Sequence, residues 1–415
     1  MPQSLPFVLS GALNLIAGFG CVQALVGAML VRRFRRRTAD ARHPSREAPG
    51  GDPLPAVTVL KPLHGDEPML EAALRSVCLQ DYPRFQIVFG VQRPNDPAIA
   101  VVRRLQASFP HLDLTLVVDG TPHGHNRKIA NLINMLPRAR HDVLVISDSD
   151  IHAEPGYLRE VVSALRQPGV GLVTTLYGGR PASRTLSRRL AAGQINHNFL
   201  PGVLMSRLLG RQDCLGATMA LRRDTLERIG GLAALSAHVA DDSRLGRLVR
   251  AQGEEIAVAG SLTITTIAET GLRDLFHHEL RWGRTVRSVE PLGYALSSIQ
   301  LPLFWSALGV IAAPAVAWSW GLFALVWLWR GITGFMIDGA IGEPASLPFL
   351  FLPLRDWFSA AVMLGSVTGS RVAWRGQTLH VTPRPVLPDS PGSSLRAARD
   401  AAALLGRERV STTGS

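Results

Sequence analysis

The sequence predicts an α/β fold, a sheet of nucleotide-binding type flanked by apolar segments that reach into a membrane. Three observations carry this. Short apolar runs alternate with helical patterns from about residue 56 to residue 287. Long apolar stretches stand on both sides of that block, at residues 6–31, 299–329 and 347–367. Within the block, the strand "HDVLVISDSD" ends in two acids, Asp148 and Asp150. Strand ends of this kind are where open α/β sheets bind ligands.

The first apolar run, residues 6–31, is almost free of charge and then meets "RRFRRR", Arg32 to Arg37. A bilayer span needs about 20 apolar residues. The run therefore predicts a transmembrane anchor with its basic C-terminal side in the cytoplasm. A signal peptide would carry its basic cluster ahead of the apolar stretch. Residues 38–55 are polar and rich in Pro, Gly and Arg, the composition of a linker. Next come strands at "AVTVLKPL", "FQIVFGVQ", "DLTLVVD" and "HDVLVISDSD", with helical spacing at 69–79, 98–107 and 128–135 between them. Repeated β-α-β with near-continuous apolar strands predicts a buried parallel sheet.

Residues 299–329 are long for one span, and Pro314 and Ser319-Trp320-Gly321 offer breaks. One tilted helix and a tight pair continuing through Phe335 both fit. The third run carries Arg355-Asp356, and an isolated charge pair is costly in lipid. A re-entrant or interfacial helix therefore stands beside a span there. The tail from Pro383 is rich in Pro, Ser, Gly and Arg, with one short helical pattern at 394–405 and otherwise the composition of disorder. The expected division is anchor and basic flank 1–37, linker 38–55, α/β domain 56–289, membrane helices 290–370 and basic tail 371–415.

Against 32 acids, 44 Lys and Arg give a net charge of +12. Much of that excess lies near the apolar segments and in the tail. Positive-inside bias and anionic lipid account for it, so a nucleic-acid partner is not implied. Cys21, Cys78 and Cys214 are far apart and show no metal spacing, as expected of free thiols in a reduced compartment.

Asp148 and Asp150 have period-two spacing and would share one side of a continued strand. Two such carboxylates repel, and a divalent cation removes the repulsion. Mg²⁺ and Mn²⁺ commonly take one or two carboxylates plus substrate phosphates. A solvated turn with an Asp N-cap for the helix near Tyr157 is the alternative. Asp241-Asp242 form a second acidic pair. "HHELRWGRTVRS" places His278, Arg281 and Trp282 on one face of an amphipathic helix, which on its own also fits a basic, Trp-anchored helix at a membrane surface.

Taken in order, "VTVLKPLHGDEPMLEAALRSVCLQDYP", "VFGVQRPNDPAIAVVRRL", "NRKIANLINM", "ISDSDI", "GATMALRRDTLERIGGL", "ADD" and "HELRW" resemble family 2 glycosyltransferases of the ceramide glucosyltransferase type. Within that type they look like the bacterial branch associated with hopanoid biosynthesis. The resemblance covers about residues 56–289, and the motifs are collectively specific.

The resemblance implies a GT-A fold, with a Rossmann-like mixed sheet. It implies a UDP-sugar donor, Mg²⁺ or Mn²⁺, a membrane lipid hydroxyl as acceptor and an inverting single displacement. By motif, Asp148 and Asp150 match the metal-binding acids, with Asp148 also on the donor side. Lys128 matches a donor-side lysine, and Asp242 matches the general base. His278, Arg281 and Trp282 occupy the Gln/Arg-x-x-Arg-Trp motif. The chemistry agrees: a hydroxyl nucleophile needs a base, and departing UDP needs positive charge. Trp282 fits an apolar wall against sugar or lipid, and equally core packing.

Departures are visible. Arg93 in "VQRPND" stands where an acid is usual, so Asn95 or Asp96 takes over the nucleotide contact or that contact is weakened. His278 replaces Gln or Arg, and Ser243 stands where an aromatic is frequent. "NFLPGVLM" offers Leu200-Pro201 in place of a ceramide-type His-Pro. That departure points away from ceramide, and the resemblance to the hopanoid-associated branch implies, as the function expected first, transfer of N-acetylglucosamine from its UDP donor to bacteriohopanetetrol, by a multi-pass enzyme of the bacterial cytoplasmic membrane. Ceramide glucosyltransfer is the alternative. A processive polysaccharide synthase and an inactive nucleotide-sugar-binding scaffold rank lower.

Overall fold

The structure, a computed structural model, describes residues 4–41, 53–238, 240–368, 371–374 and 377–380. Most of the expected linker, at 42–52, and the tail from 381, with its helical pattern at 394–405, lie outside the described residues.

In chain order the elements begin with α1 (Ser4–Ala41), β1 (Val57–Pro62), α2 (Leu70–Cys78), β2 (Phe85–Val91), α3 (Ala98–Ser108), β3 (Asp113–Val118), α4 (Arg127–Met135), β4 (Val143–Ser147), β5 (Ile151–His152), α5 (Tyr157–Leu165) and β6 (Val170–Pro181). Then follow α6 (Leu186–Gln194), α7 (Leu200–Leu208), β7 (Thr218–Arg222), α8 (Arg223–Arg228), α9 (Asp241–Ala251) and β8 (Glu255–Ile267). Helices α10 (Leu272–Val289), α11 (Pro291–Leu296), α12 (Pro302–Ala312), α13 (Ala317–Ile341) and α14 (Leu352–Val367) precede a hairpin, β9 (Arg371–Trp374) and β10 (Gln377–His380). The main sheet has the order β3-β2-β1-β4-β7-β6-β8-β5. Strands β3, β2, β1 and β4 run parallel, and β7 runs antiparallel to both β4 and β6. This mixed sheet is GT-A-like, as the sequence motifs imply.

The described residues fall into two compact units. One draws on 46–175 and 212–261, and the other on 1–45, 176–211 and 262–383. In the first, both faces of the parallel strands are covered. Val57, Val59, Ile87, Phe89, Val143 and Val145 pack with α2, α3 and α5 on one face. Leu60, Val88, Leu144 and Ile146 pack with α4, α8 and α9 on the other. That is why these strands read as unbroken apolar runs rather than alternating ones. The chain leaves β1 toward β2 and β3 on one side and returns to β4 on the other. The carboxyl ends of β1 and β4 therefore flank the switch point where α/β sheets bind ligands.

Gly90 shows how tightly α4 is seated on this sheet. A Cβ there would lie 2.5 Å from Asn131 Oδ1 and would overlap the Met135 thioether. Asn131 Nδ2 also donates to the Gly90 carbonyl at 2.8 Å. Gly90→Ala is expected to destabilise this unit by about 1–3 kcal/mol, the usual range for overpacking. A lowered denaturation midpoint with unchanged solubility would show it.

The other unit holds the apolar helices. Among the described residues three are long and apolar enough to cross a membrane, Leu5–Thr38, Ala317–Ile341 and Phe349–Val367, or four if the bent pair Pro291–Gln300 and Pro302–Ala312 is one span. The long run at 299–329 is thus a broken one. Pro302 opens α12, and the chain stops at Ala312 before Pro314 and restarts at Ala317. Proline tolerates a helix start and disrupts a helix interior, which accounts for both positions.

The charge pair in the third run is not exposed to lipid. Arg355 makes a fork to Glu279 of α10, at 2.8 and 2.7 Å, and also donates to Ser359 Oγ and the Leu190 carbonyl. Asp356 Oδ2 accepts the Leu303 N–H at 2.9 Å, with Arg330 3.8 Å from its other oxygen. Each charge is matched inside the unit, so α14 accommodates Arg355-Asp356 without presenting them to hydrocarbon. Between α6 and α7 the helix widens into a π-turn at Ile195–Phe199. Its polar side chains are spent internally. Asn196 bridges Gly179 and Ser346, and His197 meets Asp338 at 3.0 Å.

Candidate functional site

Strand β4 stops at Ser147, and Asp148 to Asp150 form a turn before β5 rather than extending the strand. The N-cap of α5 is Gly156, so neither acid caps that helix. The turn is held from below. Lys61, fully buried on β1, donates to Ser147 Oγ at 3.0 Å and to the Asp148 carbonyl at 2.6 Å. Burial pushes the Lys61 ammonium down to about 8, against the opposing pull of Asp150 and Asp148. Ser149 Oγ donates to Glu67 Oε2 at 2.5 Å.

Lys128 joins this turn to the second acidic pair. Asn126 caps α4, its side-chain oxygen accepting the N–H groups of Lys128 and Ile129. That fixes Lys128 in the first turn with its Nζ 2.6 Å from Asp148 Oδ1, 3.7 Å from Asp241 Oδ2 and 3.4 Å from the Gly216 carbonyl. Burial disfavours its charge, but Asp148 and Asp241 outweigh this and hold its pKa above the ordinary lysine value. Asp241 and Asp242 begin α9, where a helix start favours negative charge. Asp241 Oδ2 is buried and makes no hydrogen bond. Asp242 accepts the Ser243 N–H at 2.7 Å. Burial, and then the charge of Asp241, raise its carboxyl to about 6. A Cβ on Gly216 would approach Asp242 Oδ2 to 3.2 Å, so the backbone there is close against this carboxylate.

Asp96 is turned to backbone work. The Gly65 N–H donates to both its oxygens, at 2.9 and 3.1 Å, and the Ala98 N–H donates at 3.0 Å. Gly65 has φ 76°, a conformation glycine adopts without strain. Asn95 and Arg93 are exposed.

On the other unit, α10 carries the Arg-Trp motif. His278 Nδ1 is hydrogen-bonded to Glu269 Oε1, and its ring meets Trp282 edge-on with centroids 4.8 Å apart. His278 Nε2 is buried without a hydrogen-bond partner. Burial works against Glu269 ionisation, yet the contact with His278 holds its carboxyl below the usual value. Arg281 and Trp282 are half-buried. Glu279, inside the same motif, is the partner of Arg355.

Asp148, Lys128 and Asp242 therefore gather with Asp241 on one unit, while His278, Arg281 and Trp282 share a helix on the other. The sequence motifs gave Asp241 no role beyond its pairing with Asp242, and they passed over Asn126, Lys61 and Glu269. Asn126 had a signal, its N-cap position before a helical pattern. Lys61 had one too, as the single charge inside an apolar strand. Glu269 had none.

Among the described residues no group of three or more His, Cys, Asp and Glu is arranged to hold a metal ion. Asp148 and Asp150 offer hard oxygen ligands, and the Asp148 side chain is 36% exposed. Mg²⁺ and Mn²⁺ commonly take one or two such carboxylates and complete their shell with substrate phosphates.

The family model for glycosyl transferase family 21 matches residues 13–387. Ceramide glucosyltransferase 1 of Caenorhabditis elegans is 24% identical over 342 residues, covering 79% of this chain and 72% of its own. Ceramide glucosyltransferase of Komagataella phaffii is 31% identical over 179 residues, covering 40% of this chain and 33% of its own. Among solved structures, the mannosyltransferase PcManGT from Pyrobaculum calidifontis, in complex with GDP-Man and Mn²⁺, aligns with a TM-score of 0.44 and 19% identity. That alignment covers 86% of this chain and 97% of the other.

Proposed function

The chain belongs to glycosyl transferase family 21, and from that premise we propose that it moves a hexose from a UDP-sugar to the hydroxyl of a membrane lipid, with inversion. The observation that carries the reading is the cluster of Asp148, Lys128, Asp241 and Asp242 on the sheet unit, with Asp241 buried and the other three partly buried. Relatives named ceramide glucosyltransferase make glucose and a ceramide-type acceptor the better supported pair. The reading of N-acetylglucosamine and a hopanoid acceptor rests on resemblance to the hopanoid-associated branch alone, and Leu200-Pro201, where the ceramide type has His-Pro, counts only against ceramide.

In the proposed reaction the acceptor oxygen forms a bond to the anomeric carbon as the bond from that carbon to the UDP oxygen breaks. Asp242 takes the hydroxyl proton. A divalent ion held by Asp148 and Asp150 would supply Lewis-acid charge toward the leaving diphosphate. Lys128 contributes a fixed cation beside the same acids. For Arg281 the support is its motif, which assigns it to the diphosphate. Trp282 and His278 are assigned to the donor and acceptor side on the same ground. Asn95 remains an exposed candidate for the nucleotide contact.

A base must be ionised to accept the proton. Burial and Asp241 raise the Asp242 carboxyl, so activity is expected to fall as pH drops through about 6. An unperturbed aspartate would place that limb near 4. The acid limb of kcat/KM against pH measures it, and a midpoint near 4 would remove Asp242 in this environment as the base.

The substrate test uses detergent-purified protein with Mn²⁺ or Mg²⁺, offered UDP-glucose with ceramide or UDP-N-acetylglucosamine with bacteriohopanetetrol. Mass spectrometry reads the product, with EDTA and Asp148→Ala as controls. A metal-dependent gain of one hexose on ceramide supports the first pair. A gain of one N-acetylhexosamine on the hopanoid supports the second. No product from any donor defeats the proposal. The proposed location is the bacterial cytoplasmic membrane, with the sheet unit on the cytoplasmic side, supported by Arg32 to Arg37 at the end of the first apolar run.

A further inference from the structure

The position of Lys128 suggests more than a donor contact. Its Nζ lies 2.6 Å from Asp148 Oδ1, on a side chain only 13% exposed. The Asp241 carboxylate and the Gly216 carbonyl share the same ammonium. Asn126 pins the lysine backbone, so the head group reaches these acids from a fixed root. Asp148 thus already has a full positive charge on one of its two oxygens, and Asp148 is also an acid assigned to the divalent ion.

We propose that Lys128 is an internal counter-cation that competes with the divalent ion for Asp148. It couples ion binding to donor binding by moving its contact from Asp148 to the donor diphosphate. The inference rests on the donor-site reading above. The physical argument is charge balance. Asp148, Asp150, Asp241 and Asp242 place four carboxyl groups in one part of the sheet unit, and Lys128 pairs with two of them. Without donor, the ammonium neutralises Asp148 and makes it a poorer ligand for a second cation. A diphosphate gives Lys128 another anion and frees Asp148 to bind the ion. Such coupling is reciprocal: the ion must then favour the diphosphate as much as the diphosphate favours the ion.

The test is Mn²⁺ binding, followed by electron paramagnetic resonance of the free ion, on full-length protein in detergent without nucleotide. Lys128→Met removes the charge and keeps most of the length. It is expected to bind Mn²⁺ tighter than the unsubstituted protein by on the order of tenfold. Lys128→Gln should do the same, which guards against one variant folding poorly. Adding Asp148→Asn to Lys128→Met should abolish the gain, which ties it to Asp148. Equal or weaker Mn²⁺ binding by both Lys128 variants overturns the proposal, as does a gain that survives Asp148→Asn. None of these readouts needs turnover. A protein that shows the gain but glycosylates no lipid would leave the counter-cation standing and defeat the reaction reading.

Discussion

Asp242→Asn is expected to lower turnover by about three orders of magnitude while leaving UDP-sugar binding within a fewfold of the original. A positioned general base is generally worth about 10²–10⁴ in rate. The asparagine keeps an oxygen that can accept the Ser243 N–H, so the start of α9 should hold. It also removes one of two adjacent charges, which relieves repulsion with Asp241 rather than adding strain. Stability should therefore stay level or rise slightly. That separates a chemical defect from a folding defect. Single-turnover rates and calorimetric UDP binding on the same preparation check it. A loss of less than tenfold in the chemical step would take the base role away from Asp242. Asp241→Asn is the companion measurement. Asp241 pairs with Lys128 and Asn126, so its loss should act mainly on donor binding.

The second large effect is on folding. Arg355→Met should destabilise the unit of apolar helices by about 3–5 kcal/mol, the range for leaving one member of a buried ion pair uncompensated. Arg355 is 1% exposed, its fork to Glu279 is bidentate, and Ser359 and Leu190 take its remaining donors. The same principle gives a control with the opposite sign. Glu279→Gln added to Arg355→Met removes the orphaned charge and should recover a substantial part of the loss. Thermal unfolding in detergent, read as the fraction still monodisperse, measures both. If the double variant is no better than the single, the pair is held together by packing rather than by charge.

The parallel strands were legible because burial on both faces leaves an unbroken apolar run in the sequence, as in "VTVL" and "VLVI". Helices α2, α3 and α4 were legible to within a residue or two because each lays one apolar face on that sheet. The break at Pro314 was visible as a choice, since proline marks a discontinuity without saying what the chain does beyond it. What was not legible depends on contacts distant in sequence. Nothing near Asp96 announces that its carboxylate binds the Gly65 backbone, 31 residues earlier. Nothing near Arg355 announces Glu279, so the pair read as an unmatched cost. Within the site, acid spacing pointed to Asp148 and Asp150, and the motif resemblance to Asp242. That Lys128, a donor-side residue by motif, bridges the two acidic pairs through Asp148 and Asp241 emerged only once α4 and α9 were placed against the same strands.

The Arg355–Glu279 fork also bears on how the chain is made. During synthesis α14 follows α10, α12 and α13 out of the ribosome, carrying two adjacent charges. At the centre of a bilayer a lone arginine or aspartate opposes insertion by about 2.5–3.5 kcal/mol on the translocon scale. The groups that neutralise them, Glu279, Arg330 and the Leu303 N–H, all belong to segments already translated. For α14 as a membrane span, insertion would be coupled to assembly with its predecessors. The helix has a reason to wait at the insertion machinery until α10, α12 and α13 are in place. A chain that loses Glu279 should then fail first as a biogenesis defect, with α14 stranded outside the bilayer, before any loss of chemistry can be measured.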